Sequence, residues 1–204
     1  MPSRLKKPES TLGSILELVF IVGVALALAL GIQAFLVKPY RIPSGSMLPT
    51  LQEGQRVLVN RIGHSFMKPE VGDVVVFHPP VGAAQGDCAV DPPQGSVCTK
   101  ANAEESEENF IKRVVAGPGD TIRIVEGRVI RNGKPAKEPF ITPCGSGSLC
   151  EYPTPFKVPA DHYFMMGDNR GASEDSRFWG PVPDEWIIGG AFATYWPIDR
   201  IGLL

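Results

Sequence analysis

Three short segments carry residue types that could do covalent chemistry. The first, Pro43-Ser44-Gly45-Ser46-Met47-Leu48-Pro49-Thr50-Leu51, puts two serines around a glycine between stiffening prolines. Gly45 admits backbone geometries closed to other residues, and Pro43 and Pro49 fix both flanks. Such a bend suits a nucleophilic hydroxyl, and equally an ordinary turn. The second segment, Asn109 to Asp120, reads as a strand ending in a Gly-Pro-Gly turn. Strand alternation places Phe110, Lys112 and Val114 on one face and Ile111 and Arg113 on the other. A lysine between two apolar neighbours either snorkels to water from an edge strand or is meant to lose its proton. Burial lowers a lysine pKa by up to about 3–5 units. Moving it to about 7 takes roughly 4–5 kcal/mol. A neutral amine is then a competent base for a serine hydroxyl. The third segment, Gly167 to Gly180, is dense in polar side chains, including Asp168, Ser173, Asp175 and Arg177. It reads as a turn, or as a support that orients a lysine by a hydroxyl and fixes a loop by an Asp–Arg pair.

These segments need a scaffold. After residue 38 the patterning is period-two: Val57, Val59 and Ile62; the run Gly72 to Phe77 stopped by Pro79 and Pro80; then Ile122 and Ile124. Turns at Glu126-Gly127 and Asn132-Gly133 predict consecutive hairpins. His162–Met166 and Ile187–Trp196 complete the strands. The expected fold is mainly β, an antiparallel sheet domain over 38–204 with large loops, two of them inserted at about 83–109 and 134–157. The first insertion ends in Glu104, Glu105, Glu107 and Glu108, without the ligand spacing of a calcium loop. The 186–204 segment, with Trp186, Tyr195 and Trp196, reads as core strand or as a rim dipping into lipid headgroups.

Ahead of that domain, Ile15 to Val37 is an apolar run of 23 residues, about 34 Å as a helix, against a hydrocarbon core of about 30 Å. It exceeds a signal-peptide apolar region of about 7–15 residues, so it reads as a single retained transmembrane helix after a 1–14 tail. Arg4, Lys6 and Lys7 precede it and Lys38 and Arg41 follow, so charge alone orients it weakly. The cysteines add to that. Of three possible connectivities, Cys88–Cys98 with Cys144–Cys150 is the simplest, each pair closing a short loop worth roughly 2–3 kcal/mol. Disulfides need an oxidising compartment, which puts the tail in the cytoplasm and the domain outside the cytoplasmic membrane.

Composition excludes other classes. The chain has 204 residues, a formal charge of −2, 43% hydrophobic and 21% charged residues, so it is neither disordered nor a basic nucleic-acid binder. Gly 22 and Pro 20 favour short strands and turns over a helical bundle. Three histidines and no C-x-x-C argue against structural zinc, and neither metal nor cofactor is expected. A histidine-based site would draw on His64, His78 or His162 with Asp73 or Asp161.

In chain order, Ser44 to Leu51, Gly72 to Phe77, Ile111 to Asp120 and Gly167 to Gly180 resemble the sequence boxes of the bacterial type I signal peptidases, a serine–lysine family. The likeness runs from Ile42 to the C-terminus outside the two insertions. It implies Ser46 as nucleophile and Lys112 as general base, with the Ser46 N–H and the Ser44 hydroxyl as oxyanion donors. It implies Ser173 as the group orienting the lysine, Asp168, Asp175 and Arg177 as support, and Ile42 and Met47 beside a shallow substrate pocket. The implied substrates are secretory preproteins cut after Ala-x-Ala at a bilayer surface, by a monomer without nucleic acid. Two other readings stay open: a self-cleaving repressor, which the anchor fits badly, and an inactive membrane-tethered binding module.

Overall fold

The computed structural model describes residues 11–61, 68–144 and 150–204. The expectations placed on the tail before Thr11, on Ile62 and on His64 lie outside the described residues. Helix α1 spans Thr11–Phe35. Its Gly13–Gly31 stretch has a mean hydropathy of 2.4, is not buried against the domain, and is long and apolar enough to cross a membrane. The helix ends two residues before the expected Val37, because Pro39 removes a backbone donor and disfavours helical geometry at Lys38. The chain instead enters strand β1, Val37–Arg41, paired in register with β2, Arg56–Asn60.

The remaining strands are β3 (Val74–Phe77), β4 (Phe110–Ala116), β5 (Thr121–Val125), β6 (Arg128–Arg131), β7 (Lys134–Pro135), β8 (Tyr152–Lys157), β9 (His162–Met166), β10 (Val182–Pro183), β11 (Ile187–Trp196) and β12 (Gly202–Leu203). They form two antiparallel sheets. The larger runs β1-β2-β11-β3-β4-β9-β10 with β12 on β11, and the smaller runs β7-β6-β5-β8. A short helix α2, Ser176–Trp179, follows β9. The predicted mainly β antiparallel class is the observed one. Both predicted hairpin turns form, with Glu126 and Asn132 at φ 51° and 52° ahead of Gly127 and Gly133 at 73° and 77°, the left-handed pair a two-residue turn requires.

The segment read as a loop insertion at 134–157 is in part sheet: β7 and β8 lie in it. Their prolines hid them, and both strands sit at the edges of the smaller sheet, where a missing N–H costs no ladder bond. Both disulfides, Cys88–Cys98 and Cys144–Cys150, are formed.

Strand β4 positions the site because it touches every part of the core. Val114 packs with Val75, Phe77, Met165 and Trp179. Val115 and Ala116 join Ile122, Ile124, Phe164 and Met166 under the smaller sheet. Ile111 joins Ile42, Met47, Leu51, Val57 and Val76. At the C-terminal end the two alternatives for 186–204 divide by residue: Trp186 is core, while Trp196, Ile198, Ile201 and Leu203 are exposed.

Candidate active site

The Ser46 bend is a single 3₁₀ turn, Gly45–Met47, closed by Leu48 N–H donating to the Gly45 carbonyl. Met47 and Leu51 anchor it from below in the core. From above it is tied to the third segment: the Asn169 N–H donates to the Ser46 carbonyl at 3.0 Å, and Asn169 Nδ2 to the Gly45 carbonyl at 3.2 Å. The nucleophile candidate is thus held between its own core anchor and a loop more than 120 residues downstream.

Lys112 reaches it from the middle of β4. Its Nζ donates to Ser46 Oγ at 2.7 Å, and the residue is 4% exposed. The amine also lies 5.7 Å from the centre of the Phe110 ring, on the same strand face, as alternation predicts. Burial disfavours the ammonium and brings the lysine pKa down from 10.5 to about 8, against the pull of the Asp175 carboxylate and with help from Arg177. Ser44 Oγ donates to Ser46 Oγ at 3.3 Å, so three polar groups converge on one point.

Two buried ion pairs frame this point. Arg113 Nε and Nη2 grip Asp168 at 2.8 and 2.6 Å, Thr50 Oγ1 donates to the same carboxylate at 2.5 Å, and Arg113 stacks 3.9 Å over Phe140. Asp168 therefore joins the first segment to β4. Arg177 grips Asp175 at 2.7 and 2.9 Å. Burial works against the Asp175 carboxylate, but the Arg177 charge and hydrogen bonds, with the Gly167 N–H, hold it below the usual carboxylate range. These are the positions the third segment was expected to support.

Other expected positions fall differently. Ser173 Oγ is buried but makes no hydrogen bond among the described residues, to Lys112 or otherwise. It lies against Gly167, where a Cβ would come within 2.3 Å of it and 2.5 Å of the Ser46 carbonyl. Ile42 and Met47 are fully buried in the core and are not on the wall of the open cleft beside Ser46. Pro43, Ser44, Phe110 and Ile111 line that cleft instead. Of the histidines, His78 and His162 contact the backbone carbonyls of Glu108 and Ala160 and neither bonds to Ser46.

Sequence reasoning missed Thr50, Asn169 and the buried Arg170–Glu138 pair, which ties the third segment to the smaller sheet at 2.5 Å. Thr50, Asn169 and Arg170 stand inside the quoted boxes and were available there. Glu138, which also accepts the Val129 N–H, lies in a stretch read as inserted and gave no signal.

A hydroxyl pressed against a buried amine within an antiparallel β domain fits the class of serine-type peptidases. Comparison with known proteins agrees. The family model described as signal peptidase, peptidase S26, matches residues 15–196. A signal peptidase I from Leptolyngbya laminosa is 40% identical over 184 residues, covering 90% of this chain and 80% of that protein. A probable signal peptidase I-2 from a Synechocystis strain is 38% identical over 197 residues, covering 97% and 79%. The signal peptidase I of Pseudomonas aeruginosa is 36% identical over 216 residues, covering 88% and 72%. The chain belongs to the signal peptidase family, peptidase S26, and with it to the serine-type peptidases.

Proposed function

We propose that this chain is a membrane-anchored endopeptidase that removes signal peptides from exported preproteins after an Ala-x-Ala-like motif, with Ser46 as nucleophile and Lys112 as general base. The observation that carries this reading is the 2.7 Å contact between a buried amine and the Ser46 hydroxyl. A lysine with a pKa of about 8 is neutral in an appreciable fraction of molecules near neutral pH and accepts the hydroxyl proton as Oγ attacks the scissile carbonyl. It returns that proton to the leaving amine. The same amine then activates the water that hydrolyses the acyl-enzyme ester.

The oxyanion of the tetrahedral intermediate needs donors set in advance, worth about 3–4 kcal/mol each. The Ser46 N–H stands at the start of a helical turn, where backbone donors have no partner within the turn. The Ser44 hydroxyl, 3.3 Å from the nucleophile, is the second. The substrate strand has a place to dock. β4 pairs with β3 from Phe110 to Arg113 but with β9 only from Arg113 onward, leaving the other edge of residues 110–112 without a β9 partner beside Ser46. Addition of an extended peptide to that edge brings its scissile bond to the hydroxyl.

Anchoring follows from chain distance. α1 ends at Phe35, so Ser46 stands within eleven residues of the helix end, close to the bilayer surface where a signal peptide emerges. The exposed Trp196, Ile198, Ile201 and Leu203 suit contact with headgroups and acyl chains. The two disulfides fit a catalytic domain outside the cytoplasm and an N-terminus within it. The experiment is cleavage of a preprotein by the full chain in detergent. Wild type yields a shortened product; Ser46→Ala and Lys112→Ala do not. No product from wild type would favour a tethered binding module, and activity in Lys112→Ala would refute the amine base.

A further inference from the structure

The cleft beside Ser46 encloses about 580 Å³ and has a charge of its own. Its apolar wall is Pro43, Ala84, Phe110, Ile111 and Ala172, and its charged groups are Lys112, Glu108 and Glu174. Lys112 lies buried at the floor, committed to Ser46. The two glutamates are exposed, and neither makes an ion pair among the described residues. A polypeptide entering the cleft therefore meets, among the described residues, two carboxylates without an ion-pair partner and no accessible cation.

Both glutamates are placed by the fold. Glu108 closes the inserted segment: its N–H donates to Ser106 Oγ at 3.2 Å and its carbonyl contacts His78 Nδ1 at 3.0 Å. That segment is itself pinned, with Ser106 N–H on the Pro79 carbonyl, Cys98 N–H on the Arg177 carbonyl, and the Cys88–Cys98 disulfide between. Glu174 stands between buried Ser173 and Asp175, and its carboxylate is near enough for its charge to favour the Lys112 ammonium. Glu108 lies four residues ahead of Lys112 in the chain, in the bend that leads into β4 at Phe110, and lines the same cleft. A substrate strand leaving Ser46 along residues 112 to 110 and on past Asn109 crosses the part of the cleft that Glu108 and Glu174 both line, a few residues from the scissile bond.

We propose that Glu108 and Glu174 make the cleft charge-selective, so that polypeptides carrying lysine or arginine three or four residues from the scissile bond are cut in preference to those carrying aspartate or glutamate there. The inference rests on the peptidase reading above and adds a specificity to the same cleft. Exposed ion pairs of this kind are worth about two- to fivefold each and fade with salt. Together they predict about a tenfold preference at low ionic strength.

The test uses the full chain in detergent and preproteins differing at one position, Lys, Gln or Glu, placed three or four residues to either side of the scissile bond. The expected result is a Lys:Glu ratio of kcat/KM near ten on one side of the bond, falling toward one at high salt in wild type itself. The ratio shrinks in Glu108→Gln and in Glu174→Gln and inverts in the Glu108→Lys, Glu174→Lys double variant. A wild-type ratio of one at low salt, with the Gln substrate cleaved, overturns the inference and leaves the peptidase reading standing. A ratio unchanged by the substitutions also overturns it. Failure of wild type to cut even the Gln substrate overturns the peptidase reading and this inference with it.

Discussion

Replacing Lys112 by methionine should abolish cleavage and make the protein more stable at neutral pH. The side chains are similar in length, but methionine carries no charge into the niche between Phe110, Ser46 and the core. Burial moves the lysine pKa from 10.5 to about 8, a difference equivalent to about 3 kcal/mol. The sign follows from proton counting. Below pH 8 folded and unfolded chains both hold the ammonium, and the folded one bears the whole desolvation cost. Between pH 8 and 10.5 the folded lysine loses its proton first, so the unfolded state binds more protons and stability rises with pH. Above that range the cost is gone.

Lys112→Met escapes that cost but forfeits the hydrogen bond to Ser46, worth about 1 kcal/mol. The net expectation is a gain of roughly 2 kcal/mol at pH 7 that disappears by pH 10.5. Urea unfolding of the full chain in detergent, followed by fluorescence of buried Trp179 and Trp186, reads it out as a shift in midpoint. In wild type the same pKa predicts that kcat/KM rises about tenfold from pH 7 to pH 9, as the neutral fraction grows from about 9% to about 91%. Equal stability of wild type and variant at pH 7, or an activity limb centred below pH 6.5 or above pH 10, would refute the buried neutral amine.

Three further outcomes follow from the same geometry. Gly167→Ala sets a Cβ 2.5 Å from the Ser46 carbonyl and 2.3 Å from Ser173 Oγ, so preprotein cleavage should fall by more than a hundredfold and the melting temperature should drop; wild-type activity would contradict that packing. Asp175→Asn removes the buried carboxylate charge that Arg177 grips through Nε and Nη2 and should cost about 3–5 kcal/mol in chemical denaturation, where a surface pair would cost under 1. Ser173→Ala removes a hydroxyl that has no hydrogen-bond partner among the described residues, so stability should change by less than about 0.5 kcal/mol while kcat falls about tenfold if the hydroxyl meets the amine during turnover; a large stability loss with unchanged kcat would give Ser173 a purely structural role.

What the sequence disclosed, and what it hid, divides along a physical line. Period-two patterning and turn chemistry are local, so β2 to β6, β9, β11 and both Gly-terminated hairpin turns were legible from neighbouring residues alone. The apolar helix was legible for the same reason, and its end was misplaced by two residues because Val37 is apolar enough for either element and its pairing with Asn60 of β2 is a long-range contact. β7 and β8 were missed because Pro135, Pro153 and Pro155 argue against strands unless the edge position is already known. The positions of Ser46 and Lys112 were readable as types in context, a hydroxyl on a bend and a lysine among apolar neighbours. Their contact was not, since it joins residues 66 apart and depends on the pairing of β4 with β3 and on the turn that carries Ser46. The polar ties are less legible still. Thr50 to Asp168 spans 118 residues and Glu138 to Arg170 spans 32, and neither partner's immediate neighbours predict the other. A buried charge must find a partner, so each buried ion pair is as binding a constraint on the fold as an apolar contact, but it has no period to betray it. Ile42 and Met47 show the same limit from the apolar side: a resemblance placed them by the pocket, and only the packing of the strands around them puts both in the core beneath the nucleophile's turn, where they hold Ser46 in place from below.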